Sequence, residues 1–251
     1  MHLLYISLTV FLIIFMGAMS GIVLRCVLPD KHFNLPAEAA IKLVTGFVMT
    51  MTGIILGMLV SSAKSSYDGQ KILVAQLSSQ VILLDRSLAG YGAETHPMRL
   101  QLHEFAQAST NRIWPSTDST KADLQPQDKI DLVGAELNDL TPKNSSQIYA
   151  KSHSIAILSD VRQSSWLLFV ESDTNKLSMP LLVILVSWIT AIFISFGLFA
   201  PPTPAVITTM LLGALAVSAA ILIILEMYSP FSGFMRISSN PVREAIKQLQ
   251  Y

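Results

Sequence analysis

Lys64, Asp85 and Glu226 are the ionisable residues whose surroundings give them something to do. Lys64 follows an uncharged stretch at 43–63, and Glu226 closes another at 205–225. Asp85 falls between Val81 and Leu88 on an apolar helical stripe. A lysine just past an apolar segment can attract anions when several copies form a ring of charge. It can equally anchor the segment by snorkelling to water. A buried lone carboxylate is costly unless paired, so Asp85 is expected to pair with Arg112 or Arg162 on a neighbouring helix. Glu226 either ends its apolar run, caps the turn at 229–233, or forms part of an ion entrance. Arg86, Pro230, Phe231 and Gly233 stand beside these two carboxylates in sequence and share their structural or entrance role. Thr45, Met49, Thr50, Thr52, Gly53, Gly57 and Ser61 supply a different chemistry, a weakly polar lining for a path through lipid.

Catalytic chemistry finds no such grouping. His2, His32, His96, His103 and His153 are scattered, with no HExxH or HxxxH pair. No GxSxG, Walker loop or GxGxxG is present. The acidic residues show no metal-loop spacing, and Cys26 is the single cysteine, which excludes an intrachain disulfide and a CxxC zinc site. Neither an enzyme nor a cofactor is expected. Net charge is zero and no basic patch with interleaved aromatics occurs, so nucleic acid is not an expected partner.

The elements that must position the candidate residues are membrane helices. Hydrophobic residues make up 51% of the chain and charged residues 14%, against roughly 25% charged in soluble domains. Mean hydropathy is +0.52. A bilayer core about 30 Å thick needs roughly 20 apolar residues as helix. Residues 3–24, 43–63, 177–200 and 205–225 meet this without one Asp, Glu, Lys, Arg or His. Bare backbone is not tolerated in lipid, so all four should be helices. The first has a rival reading as a cleaved signal peptide, with Ala18-Met19-Ser20 as a small-residue cleavage site. Its n-region lacks Lys and Arg, and its apolar stretch exceeds the usual 7–15 residues. Pro201, Pro202 and Pro204 end one helix and start the next, so spans three and four form an antiparallel hairpin. No ionisable group lies within any span, which fits a passive pathway or a structural assembly better than a proton-coupled transporter.

Four spans give segments 1–63 and 177–226 as membrane helices, 64–176 as a helical domain, and 227–251 as a tail. An even number of spans leaves both termini and the central domain on one side. Lys64, Lys71, Lys176, Arg236, Arg243 and Lys247 lie near the membrane there; Arg25, Lys31 and Lys42 lie on the other side. The bias predicts cytoplasmic termini and a cytoplasmic central domain. Leu73, Leu77, Val81, Leu84 and Leu88 recur at helical steps. With no proline before Gly90, span two is expected to run on until Gly90 and Gly92 end it. Met98, Leu102, Phe105 and Ile113 mark a second helix ended by Pro115; 118–127 reads as loop. Residues 130–140 form a short helix stopped by Pro142. Ile155, Leu158, Trp166 and Phe169 mark a last long helix, and 241–250 a terminal one.

Gly17 and Gly21 make a GxxxG, as do Gly53 and Gly57; Gly46, Thr50, Gly53, Gly57 and Ser61 share one stripe of span two. Small residues let helices approach closely in lipid. The stripe serves either packing within one subunit or the axis of an oligomer.

Leu59-Val60-Ser61-Ser62-Ala63-Lys64-Ser65-Ser66-Tyr67-Asp68 and Ile82-Leu83-Leu84-Asp85-Arg86-Ser87-Leu88-Ala89-Gly90-Tyr91-Gly92 resemble segments of the bacterial bestrophin-like domain family. So do Arg112-Ile113-Trp114-Pro115, Ser195-Phe196-Gly197-Leu198-Phe199-Ala200-Pro201, and Leu225-Glu226 through Pro230-Phe231-Ser232-Gly233. The segments occur in order over nearly the whole chain. The family name implies similarity to bestrophins, pentameric anion channels with four spans, cytosolic termini, a cytosolic helical region after span two, and a pore lined by span two. The resemblance therefore implies an all-α membrane protein of bestrophin-like architecture. It implies a homo-oligomeric, pentameric ion channel in a bacterial inner membrane, with lipid and chloride-like anions as partners. Pro230 and Phe231 are similar to the bestrophin Pro-Phe-Gly turn, here interrupted by Ser232. The acidic cluster that serves calcium in animal bestrophins is missing, so calcium gating is not implied, and the bulky Ile/Phe neck has no clear equivalent. The alternative is a membrane scaffold or sensor whose helical domain binds a protein partner through the exposed face of the helix at 98–114.

Overall fold

The computed structural model describes residues 2–27, 35–114, 126–174 and 179–249. All regular structure among them is helical. The order is α1 (His2–Val27), α2 (Leu35–Tyr91), a short 3-10 turn (Ala93–Thr95), α3 (His96–Ile113), α4 (Pro126–Asp139), α5 (Ser145–Thr174), α6 (Met179–Phe199), α7 (Pro204–Met227) and α8 (Asn240–Gln248). Helices α1, α2, α6 and α7 are long and apolar enough to cross a membrane. Lys31, His32, Pro115, Lys176 and most of the expected loop at 118–127 lie outside the described residues; Pro126 and Gln127 belong to α4.

The chain divides into two compact units. The first contains α1, α2 up to Tyr67, α6 and α7. Its core is built from Val10, Ile14 and Ala18 of α1, Leu185 and Ile189 of α6, Ala214, Ile221 and Ile224 of α7, and Leu59 and Ala63 of α2. Helix α1 packs against both α6 and α7. The Gly17/Gly21 pair explains the closeness of the first contact: a Cβ on Gly21 would strike the Ile194 carbonyl and the backbone of Gly197, and one on Gly17 would meet Thr190 Cγ2. Gly197 answers from α6, its absent Cβ leaving room for the Ala18 carbonyl. This GxxxG is therefore internal packing. Against α7, Ser7 Oγ donates to the Ser218 carbonyl at 3.0 Å, a polar contact suited to apolar surroundings. Between α6 and α7 the prolines act as expected. Helix α6 stops at Phe199, the Thr203 amide donates to the Pro201 carbonyl at 2.7 Å, and Pro204 opens α7 where its missing N–H costs nothing.

The second unit contains α2 from Asp68, together with α3, α4, α5 and α8. Helix α2 is one unbroken element of 57 residues, about 85 Å long at 1.5 Å per residue and well beyond a bilayer core. It ends at Tyr91, where Gly92 takes φ 135°, a conformation that L side chains avoid. Val74, Leu77, Val81, Leu84 and Leu88 are its buried stripe; Leu73 is only half-buried. Met98, Leu102 and Phe105 of α3, Ile130, Val133 and Leu137 of α4, and Leu158 and Val161 of α5 complete the core. Of the apolar residues that mark α5, Leu158 is buried. Ile155 is 41% and Trp166 57% exposed, while Ile157, Val161 and Leu168 take the inward positions. Spacing alone allowed either of two adjacent faces.

Candidate functional site

Helix α2 is amphipathic in size rather than in polarity. At 3.6 residues per turn, Thr45, Thr52, Leu59 and Ala63 fall on one face. Thr52, Leu59 and Ala63 are buried within the unit. Thr45 Oγ1 lies 2.8 Å from Ser195 Oγ of α6, and Thr52 Oγ1 donates to the Val48 carbonyl at 2.7 Å. Both hydroxyls are thus engaged inside the chain. A second face carries Gly46, Thr50, Gly53, Gly57, Ser61 and Lys64, all exposed, with Met49 exposed at its margin. Nothing lies within 4 Å of where a Cβ would stand on Gly46, Gly53 or Gly57. Thr50 spends its hydroxyl on the Gly46 carbonyl at 3.0 Å, as threonines do when no other partner is present in an apolar helix. A third face holds bulky apolar side chains: Leu43, Phe47, Ile54 and Met58, each more than half exposed.

Only 11% of the most apolar stretch of α2 is buried in the single chain, against 50% for α6 and 28% for α1 and α7. Helix α2 thus brings three open glycines and an exposed hydroxyl stripe to the surface of its own subunit.

Asp85 sits in the second unit and is 5% exposed. Its partner is Arg99 of α3, not Arg112 or Arg162. Arg99 Nε and Nη2 donate to Oδ1 and Oδ2 at 2.7 and 3.0 Å, a bidentate fork. The hydrogen bonds it donates to Asp85 hold the Arg99 guanidinium above its usual range, opposed by partial burial. Arg162 instead pairs with Asp131 at 3.0 Å. The correction has a physical reason: the turn at Gly92 folds α3 back along α2, which brings a residue only 14 positions away onto Asp85. Arg86, next in sequence, is exposed.

Glu226 is 4% exposed at the end of α7. Its Oε2 accepts the amides of Phe234 at 2.8 Å and Met235 at 3.3 Å, and its carbonyl accepts Ser229 N–H at 3.0 Å. Gly233, at φ 83°, lies so close that a Cβ would overlap the Glu226 carboxylate. Glu226 therefore acts as the cap of the turn that follows its helix. In the second unit, Pro230 is buried and its carbonyl accepts the Ile237 amide at 2.6 Å. Phe231 stands edge-on to Trp114, ring centroids 5.4 Å apart, while Trp114 Nε1 donates to the Ile237 carbonyl at 2.8 Å.

Sequence reasoning missed three partners: Ser195, Arg99 and Trp114. The last already stood in the Arg-Ile-Trp-Pro segment. A tryptophan at a helix end with an indole donor to satisfy is a reasonable anchor. Among the described residues no group of three or more His, Cys, Asp or Glu could hold a metal ion.

The family profile described as Bestrophin-like domain matches residues 10–242. A search of curated proteins returns no match. In structure, the chain is similar to a bacterial bestrophin homolog from Klebsiella pneumoniae, solved as a point mutant. The TM-score is 0.63 and the identity 13%, over 97% of this chain and 98% of that one. At that identity the likeness concerns the fold.

Proposed function

This chain belongs to the bestrophin-like domain family, and from that membership we propose that it is a homo-oligomeric ion channel in a bacterial inner membrane. Five copies surround an axis, as the resemblance to bestrophins implies. The second apolar helix lines the path, with Met49, Thr50, Gly53, Gly57 and Ser61 along it and Lys64 at its end. Thr45 and Thr52, bonded within their own chain, are not part of that lining. Both termini and the helical region between spans two and three lie on the cytoplasmic side.

The observation that carries the reading is the open small-residue face of α2, with three glycines facing empty space on a helix of which little is covered. Packing within the subunit accounts for Gly17 and Gly21 but leaves Gly46, Gly53 and Gly57 without a neighbour. Five such faces around an axis leave a narrow path walled by glycine and hydroxyl groups. The exposed Lys64 of each copy adds positive charge near its mouth, which favours anions. The absence of any ionisable residue between Leu43 and Ala63 is in keeping with passive conduction.

Recording from purified protein in planar bilayers tests this reading. Discrete currents with reversal potentials set by the chloride gradient are expected. A well-folded oligomer that stays silent across pH, voltage and salt would overturn it.

A further inference from the structure

The turn after α7 carries the most exposed large apolar side chain among the described residues. Phe234 is 79% exposed and Met235 beside it 40%. A single exposed hydrophobic residue needs no explanation, but this pair is fastened in place. The amides of both residues donate to Glu226 Oε2, and Gly233 at φ 83° lets the chain pass against that carboxylate. The same bonds set the height of the pair. Glu226 directly follows the uncharged stretch that ends at Leu225, so both amides lie within about one helical turn of the hydrocarbon boundary. An independent contact gives the same level. The Tyr228 hydroxyl donates to Ser62 Oγ of α2 at 3.2 Å, and Ser62 stands just before Lys64, where span two meets water. Two span ends are thus tied together at the depth where amphipathic rings collect. The contact also gives the side. Ser62 lies nine residues beyond Gly53, about two and a half helical turns, and so on the side of α2 opposite the open glycines. Tyr228 therefore meets α2 away from the face that a ring would enclose.

We propose that residues 233–235 are an interfacial anchor. Phe234 and Met235 enter the boundary between headgroups and acyl chains in the leaflet at that end of α7. Apolar side chains at this depth bind by leaving water, without a further helix. A pair whose backbone is already held loses little freedom on insertion. The amides that insertion brings near lipid are already bonded to the Glu226 carboxylate, so no bare donor is exposed to hydrocarbon. Glu226 is the positioning residue of the anchor. The inference requires that α7 crosses a bilayer, and it depends neither on conduction nor on the number of copies.

Depth-resolved quenching provides the test. Phe234→Cys is made in full-length protein carrying Cys26→Ser, labelled with bimane, and reconstituted into vesicles of equal parts phosphatidylcholine and phosphatidylglycerol. Glu244→Cys, at an exposed position on α8, gives the aqueous reference. Leu215→Cys, at an exposed position near the middle of α7, gives the lipid reference. An unchanged melting profile identifies properly folded samples. At position 234, lipid brominated high on its acyl chain is expected to quench more than lipid brominated near the chain end. Iodide quenching there is expected to be about threefold or more weaker than at Glu244→Cys. Iodide quenching equal to that at Glu244→Cys would put the turn in water and overturn the inference. A label silent to iodide and to both lipids would mean that protein covers the ring, a second copy of the chain included, and would overturn it as well. Free iodide access at Leu215→Cys would contradict the spanning helix itself, and with it the membrane layout rather than the anchor alone.

Discussion

Two carboxylates are buried among the described residues, and both are used to hold backbone or side chain in place. Asp85 and Arg99 form a fork with little water around it. Removing one charge leaves the other stranded, so Asp85→Asn should lower stability by about 2–3 kcal/mol, read as a shift in thermal or denaturant midpoint. Glu244→Gln, which breaks an exposed pair with Lys247, should change little. Because Asp85 raises the Arg99 guanidinium above its usual value, the stabilisation it contributes is present below that value and lost only as pH rises through the raised one. The Asp85→Asn deficit should therefore be the same at pH 7 and pH 9; a deficit that vanishes between them would contradict the pairing. Glu226 and Gly233 work as a unit. Gly233→Ala forces a side chain into positive φ and against the Glu226 carboxylate, and should cost about 1–2 kcal/mol. Gly233→Ala combined with Glu226→Ala should cost less than the two singly, since the first change has already spoiled the contact the second removes. Sequence alone marked both acids as needing an explanation. It did not name Arg99, because the partner of a buried carboxylate depends on where the Gly92 turn sends the following helix.

At the scale of elements, the same motif has two meanings. Gly17-x-x-x-Gly21 and Gly53-x-x-x-Gly57 are equivalent as patterns, yet only the first has a neighbour. Gly21→Leu should drive α1 from α6 and abolish the folded, detergent-stable protein. Gly57→Leu should leave the melting temperature within a few degrees of wild type, because its side chain enters open space. The reverse ranking in a thermal-shift assay would undo the assignment of these faces. The four spans, the proline reversal and the long run of α2 were legible because hydrocarbon imposes length and lack of charge, and because proline and glycine punctuate helices. The inward face of α5 was not. Ile155 and Trp166 are apolar and helically spaced, yet exposed. Their pattern resembles a core stripe as closely as the true one does.

For the whole molecule, the proposed function makes one chain part of a larger object. Its longest helix presents glycine, hydroxyl and lysine to a surface that the chain's own fold does not cover. In the proposed ring that surface faces the axis. The central claim is that the Gly46–Ser61 stripe faces a conducting axis while Met58 does not, and it is tested on currents from single-cysteine variants. Cys26→Ser removes the one native thiol, after which Ser61→Cys and Met58→Cys are each recorded in bilayers before and after a membrane-impermeant, positively charged thiol reagent. Modification of Ser61→Cys should change conductance at once, and Met58→Cys should not respond. Equal responses, or an open channel indifferent to modification at Ser61→Cys, would contradict the account.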